Sequence, residues 1–126
     1  MKLVIAIALG GSIGALSRYY TTLLMATIIG FSTPWVTIFV NVMGSFVLGF
    51  LVEVFLQTWS PTAEMKAFLT IGLLGAFTTF SAFSLDSFEL YERGEHLLML
   101  AYIVGSVMFS ILALLVGLRF GRLIFS

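Results

Sequence analysis

The sequence predicts an all-α membrane protein with four transmembrane helices, and three observations support this fold class. Of the 126 residues, 60% are hydrophobic and only 10% are charged, whereas soluble domains are usually about half apolar. The mean hydropathy is +1.15. Four apolar runs, each near the roughly 20 residues that a spanning helix needs, are separated by short polar connections. Residues 1–126 are therefore predicted to form a single four-helix transmembrane domain.

The first two spans are predicted over residues 3–29 and 35–56. The turn signal "GFSTP", residues 30–34, lies between them. A cleaved signal peptide is the competing interpretation of "MKLVIAIALGGSIGAL", because this segment starts with a basic residue and contains small residues. The apolar run continues past Ala15, however, and further apolar spans follow. This pattern favours a retained first helix, with Arg18 inside it.

The third and fourth spans are predicted over residues 65–90 and 97–118, joined by "YERGEH". Ser60 and Thr62 are the candidate N-caps of the third helix, with Pro61 near its first turn. No extramembrane domain remains, so the function must come from the four helices.

The third span is predicted to break near its middle. Gly72 and Gly75 weaken the helix, and the hydroxyls of the adjacent Thr78 and Thr79 can bond to the backbone. We expect the break between Gly75 and Thr79, with the helix resuming near Phe80. Backbone freed at membrane depth must be buried in protein or line a cavity. The alternative is a continuous helix in which both threonines bond to the preceding turn.

Composition excludes several classes of function. Six basic residues balance six acidic ones, so the chain lacks the basic surface that nucleic-acid binding needs. There is no cysteine, and the single histidine, His96, has only Glu95 beside it and no spaced partner, which disfavours a metal centre. No nucleophile–base pair, catalytic carboxylate pair or phosphate-binding loop is recognisable. An enzyme is therefore not expected.

Small and polar residues recur every four positions on three of the spans, which places them on one face of each helix. These residues are Gly10, Gly14 and Arg18 in the first span, Asn41, Ser45 and Gly49 in the second, and Tyr102, Ser106 and Ser110 in the fourth, followed there by Gly117 and Gly121. Such stripes are typical of close helix packing, and polar groups at membrane depth also indicate function. A monomer would leave these faces in lipid, so we infer a homodimer.

The distribution of basic residues gives only a modest orientation signal. A four-span chain places Lys2, Lys66, Arg119 and Arg122 on one side of the membrane, and acidic residues offset part of this bias. The chain is thus compatible with insertion in both orientations.

Aromatic and hydroxyl side chains alternate at the start of the second half of the third span. Phe80 and Phe83 share a helical face, with Ser84 near them. Ser81 faces elsewhere, and Ser84 lies one turn beyond it. Phenylalanines at this spacing are usually core or lipid-facing residues, but the positive edge of an aromatic ring can also approach an anion. The combination predicts a neutral path lined by donors.

The carboxylates of the spans are expected to be solvated charges at helix ends. Asp86, Glu89 and Glu92 follow the Phe/Ser segment, and Glu53 lies near the end of the second span.

Four motifs resemble the Fluc (CrcB-type) fluoride channels, a family of small fluoride exporters. "GAFTTFSAFS", residues 75–84, is similar to the third-helix signature of this family. "FVNVMGSF" resembles its second-helix asparagine motif, "GGSIGALSRYY" its first-helix glycine–arginine pattern, and "AYIVGS" its fourth-helix Tyr/Ser segment. The match covers all four helices.

The resemblance implies an antiparallel, dual-topology homodimer with two narrow fluoride pores. The pore residues that it implies are Asn41, Phe80, Ser81, Phe83, Ser84, Tyr102 and Ser106. It implies that Arg18 lies in a vestibule, and that the backbone carbonyls of Gly75 and Thr78 from both subunits hold one structural sodium ion. Position 82 is alanine, where many relatives carry a hydroxyl, so the hydroxyl track has one member fewer.

The function implied is passive efflux of cytoplasmic fluoride across the inner (plasma) membrane by a multi-pass channel. The main alternative is a small multidrug-resistance-type exporter coupled to protons. Such an exporter needs a membrane-embedded carboxylate, whereas the first span carries Arg18 and no acid. A second alternative is an assembly partner that transports nothing, in which the stripes only pack helices.

Overall fold

The computed structural model describes all residues, 1–126, and contains helices and short connections but no strands. Four helices are long and apolar enough to cross a membrane, and we call them the first to fourth spans. They are Lys2–Ile29, Thr33–Gln57, Ala63–Glu92 and His96–Phe125. The prediction of an all-helical chain with four spans is confirmed. The fourth span extends seven residues beyond its predicted end at Leu118, because the chain stays helical through Arg119 and Arg122.

The connections between the spans are tight, and local chemistry explains each of them. The first span ends at Gly30, whose φ of 82° lies in the left-handed region that glycine adopts without strain. Pro34 follows in the first turn of the second span. Of the two predicted caps of the third span, Thr62 is the one used, because its Oγ1 accepts from Met65 N at 3.2 Å. Gly94, with φ 77°, ends the third span.

The four spans pack as two closely crossed pairs, the second with the fourth and the first with the third. Glycines allow both crossings. A Cβ on Gly14 would overlap the carbonyl of Leu73, and a Cβ on Gly49 would overlap that of Leu114. Gly117 lies equally close to the carbonyl of Phe46. The small-residue stripes of all three helices therefore include contacts within one chain, as helix-packing chemistry predicts.

The third span is not uniform along its length. An α-helical turn, Ala63–Ala67, passes into a wider π-helical stretch, Phe68–Leu74, and a short α-helical turn, Gly75–Phe77. Thr78 (φ −78°, ψ 159°) and Thr79 (φ −152°, ψ 119°) are extended, and a regular helix then covers Phe80–Glu92. We call Thr78 and Thr79 the extended pair. The π-helical stretch was not expected from the sequence.

Two of the carboxylates were wrongly predicted to be solvated. Asp86 is only 4% exposed and Glu53 only 1% exposed, whereas Glu89 and Glu92 are exposed as expected. The Glu53 carboxylate accepts from Arg122 Nε at 3.1 Å and Nη2 at 3.2 Å, and from Gln57 Nε2 at 2.9 Å. A position near a helix end does not expose a side chain when a neighbouring span lies against it.

Candidate functional site

Asn41 clamps the backbone of the extended pair. Its Oδ1 accepts from Thr79 N at 2.7 Å, and its Nδ2 donates to Thr79 O at 3.0 Å. The side-chain amide thus pairs with the buried Thr79 peptide groups as a neighbouring strand would. Unpaired backbone groups at this depth cost much free energy. Asn41 on the second span therefore provides hydrogen-bond partners for the peptide groups of Thr79, which lies outside the regular helix.

The same geometry frees the four backbone carbonyls of residues 75–78 from helical pairing, and those of Gly75 and Thr78 are two of them. In a continuous helix, Gly75 O would accept from Thr79 N, and Thr78 O would accept from Ala82 N. Here Thr79 N donates to Asn41, and Ala82 N donates to Thr79 Oγ1 at 3.1 Å, which caps the following helix. Thr78 O instead accepts from Arg18 Nη1 at 3.3 Å. The predicted metal-binding residues are therefore two of the four residues whose carbonyls lose their helical partners.

A neutral groove of about 360 Å³ lies against the extended pair. Its lining contains no charged residue and includes six of the residues predicted for the site: Asn41, Gly75, Thr78, Phe80, Phe83 and Ser106. Ser45 and Ser110, which share stripes with Asn41 and Ser106, also line it. We call this cavity the neutral groove.

Ser106 has the one side-chain polar atom in the chain that is buried without a hydrogen-bond partner. The residue is 5% exposed and lines the neutral groove. Buried hydroxyls normally have a partner, so this Oγ is available to a ligand in the groove.

The rings of Phe80, Phe83 and Tyr102 lie in a row that leads from the neutral groove into the protein. The ring centroids of Phe80 and Phe83 are 5.4 Å apart, and those of Phe83 and Tyr102 are 5.3 Å apart. Phe83 is buried, whereas Phe80 is 77% exposed in the single chain. The large exposed ring indicates a face of the groove that the chain alone does not cover.

The Tyr102 hydroxyl does not line the neutral groove, because it donates to Asp86 Oδ2 at 3.0 Å. Thr37 Oγ1 lies 2.6 Å from the same oxygen. The buried Asp86 carboxylate is thus bonded to hydroxyls from the second and fourth spans. Sequence reasoning missed Asp86 and Thr37. Thr37 could have been found, since it lies one helical turn before Asn41 on the same face.

The two predicted serines of the third span lie outside the groove lining. Ser84 Oγ donates to Phe80 O at 3.0 Å, and Ser81 Oγ lies 3.4 Å from Thr79 Oγ1. Both serines are exposed in the single chain. Ala82, where a hydroxyl was expected, contributes its backbone N–H to the Thr79 cap.

A second cavity, of about 400 Å³, lies on the other side of Thr79, and charged residues line it. Arg18, Asp86 and Glu89 line it together with the hydroxyl-bearing Thr22 and Thr37. We call it the charged cleft. Thr79 lines both cavities, so the clamped peptide separates a charged compartment from a neutral one.

Comparison with known proteins assigns the family. Residues 5–118 match the family model described as CrcB-like protein, Camphor Resistance (CrcB). Three relatives named fluoride-specific ion channel FluC come from Rhizobium meliloti, Rhodospirillum centenum and Chelativorans sp. They are 45%, 44% and 48% identical to this chain over 97%, 97% and 92% of its length and 98%, 97% and 93% of their own. These relatives are named as ion channels, in agreement with the prediction that the chain is not an enzyme.

The resemblance noted in the sequence is thereby confirmed, and a multi-pass membrane protein is the architecture that both the four apolar spans and the channel relatives support. The chain belongs to the CrcB-like family.

Proposed function

We propose that this protein is a fluoride-selective channel that lets cytoplasmic fluoride leave passively through two narrow pores of an antiparallel, dual-topology homodimer. The observation that supports this most directly is the neutral groove, where a buried, unpartnered Ser106 hydroxyl lies with the Phe80 and Phe83 rings. The relatives are named as fluoride channels. The expected location is the inner (plasma) membrane.

The chemistry of the groove suits a small, strongly hydrated anion. Fluoride must exchange its water for other donors, and the Ser106 hydroxyl and the positive ring edge of Phe83 can serve. Asn41 uses one N–H on Thr79, which leaves the second N–H of its amide for an ion. No charged side chain lines the groove, and conduction requires sites that an ion can leave. A neutral lining therefore favours passage over trapping.

Two features of the single chain support a dimer. Phe80 is 77% exposed and Gly75 is also exposed, so the groove lacks a wall on this side. Polar groups that line an open groove are more favourably covered by protein than by lipid tails, which offer no hydrogen bonds. A second copy across this face would enclose the groove, and symmetry would then give two pores.

The extended pair fits the proposed sodium site through its donor set. Sodium is a hard cation that prefers oxygen ligands, and the carbonyls of Gly75 and Thr78 are free of helical bonds. The Gly75 and Thr78 carbonyls of one chain are too few to enclose a cation, whereas two copies of the chain offer four of these carbonyls. When bound, the ion would hold two copies together at the centre of the dimer. We take the extended pair as the functional break of the third helix.

The small multidrug-type exporter remains the second candidate because Asp86 is a buried carboxylate within a span. Proton-coupled export requires such a group to exchange protons with the substrate. The carboxylate here already accepts from Thr37 and Tyr102. Proton-dependent ethidium transport by reconstituted protein, without fluoride flux, would favour this candidate.

Fluoride efflux from liposomes tests the channel. Vesicles loaded with potassium fluoride and containing purified protein should release fluoride to an external electrode when valinomycin carries the compensating potassium. Phe83→Ile should abolish release, because it removes the ring edge from the groove. Phe88→Ile is the matched control: Phe88 lies on the same helix, is 57% exposed and does not line the groove. Unaltered efflux with Phe83→Ile would refute the assigned pathway.

A further inference from the structure

Arg18 has no carboxylate partner in the chain. The salt bridge of the structure joins Glu53 to Arg122, and no carboxylate lies within salt-bridge distance of Arg18. The guanidinium is half-buried in the first span, and Nη1 donates to the Thr78 carbonyl at 3.3 Å. The half-buried guanidinium, which has no carboxylate partner, thus donates to a backbone carbonyl that has no helical partner in the extended pair.

The charged cleft offers this guanidinium other partners. Arg18 shares the lining of the cleft with Asp86 and Glu89, and neither carboxylate bonds to it in this arrangement. Thr78, whose carbonyl the guanidinium contacts, lines the neutral groove instead. The side chain therefore lies at the boundary between the two cavities, with an uncharged acceptor on one side and two acidic ones on the other.

We propose that Arg18 acts as a built-in competitor of the sodium ion: its guanidinium and the ion use the same Thr78 carbonyl, and a bound sodium ion would displace the guanidinium toward Asp86 and Glu89. This inference rests on the sodium site of the proposed function. Two cations on one carbonyl would lie about 5–6 Å apart, and at an effective dielectric constant of about 20 their repulsion weakens binding about 100-fold. The arginine thereby sets the sodium concentration at which the dimer centre is filled.

Sodium-dependent thermal stability tests the proposal without measuring transport. The full chain, purified in detergent, is titrated with sodium chloride against N-methylglucamine chloride at constant ionic strength, and unfolding is followed by tryptophan fluorescence. Arg18→Gln should reach half of its sodium-induced stabilisation at a sodium concentration at least tenfold lower than the unaltered protein. Glu89→Gln should need more sodium than the unaltered protein, because the displaced guanidinium loses an acidic partner.

Two further variants complete the experiment. Arg93→Gln removes one positive charge from the loop after the third span, away from Thr78, and should leave the sodium midpoint unchanged. Arg18→Lys keeps the charge on a shorter donor and should shift the midpoint less than Arg18→Gln, so it tests the idea even if the glutamine variant does not fold.

The outcomes distinguish a failure of the proposed competition from a failure of the proposed sodium site. Equal sodium midpoints in Arg18→Gln and the unaltered protein, or a higher midpoint in Arg18→Gln, would overturn the competition. Absence of any sodium effect in every variant would overturn the sodium site and the competition with it, while fluoride efflux would still be measured independently. If sodium stabilised only Arg18→Gln and not the unaltered protein, the result would support the competition, because Arg18 would then prevent sodium binding altogether.

Discussion

Replacing Asn41 by leucine, an apolar side chain that branches at the same carbon, should destabilise the protein. The substitution removes both hydrogen bonds to Thr79, at 2.7 and 3.0 Å. It leaves the Thr79 N–H without a partner, whereas the Thr79 C=O, as the N-cap carbonyl of the helix Phe80–Glu92, keeps its helical bond. Thr79 is 9% exposed, so water does not readily replace the lost bonds. One unsatisfied buried N–H costs about 1–3 kcal/mol, and this is the expected loss.

Unfolding in mixed micelles of dodecyl maltoside and SDS, followed by circular dichroism, measures this loss. Ser45→Ala is the matched control, because Ser45 lies one helical turn further along the same face, lines the same groove and makes no side-chain hydrogen bond within the chain. The control should change the free energy of unfolding by less than about 0.5 kcal/mol. A loss below about 1 kcal/mol for Asn41→Leu would show that the amide does not hold the extended pair, and the account of the clamp would be wrong.

Three further predictions follow from the packing and the buried acids. Gly14→Ala should lower the thermal midpoint, because its Cβ meets a backbone carbonyl of the third span, whereas Gly11→Ala, with open space around it, should be neutral or stabilising by up to about 1 kcal/mol. Glu53→Gln should also lower the midpoint, and adding Arg122→Gln should restore part of the loss, since the pair is bidentate; an additive double variant would contradict the coupling. Tyr102→Phe should keep more fluoride efflux than Tyr102→Leu, because the ring against Phe83 is retained and only the bond to a carboxylate is lost; equal efflux would contradict this role.

Much of the architecture follows from the sequence because hydrophobic length and local chemistry determine it. Four apolar runs fix four spans, since lipid permits no other way to satisfy the backbone of such segments. Turn residues such as Gly30 and Thr62 fix where the spans begin and end. Two glycines before two adjacent threonines mark the region where Thr78 and Thr79 are extended. These are properties of short segments.

The features that could not be predicted depend on contacts between distant segments. Glu53 lies 69 residues from Arg122, and Asp86 lies 49 residues from Thr37. Position near a helix end suggested solvent for both acids. The crossing of the second and fourth spans covers Glu53, however, and the packing of the third span on the second brings the Thr37 hydroxyl to Asp86. The π-helical stretch Phe68–Leu74 likewise accompanies close packing of the third span on the first. No sequence pattern within the third span predicts this π-helical stretch.

The ratio of fluoride to chloride efflux from liposomes containing the unaltered protein tests the central claim most directly. If a neutral groove of hydroxyl, amide and ring-edge groups replaces the water of a small anion, fluoride should leave electrogenically within the dead time of the electrode, while chloride leaves no faster than from protein-free vesicles. Equal release of the two ions, or fluoride release no faster than from bare lipid, would contradict the account.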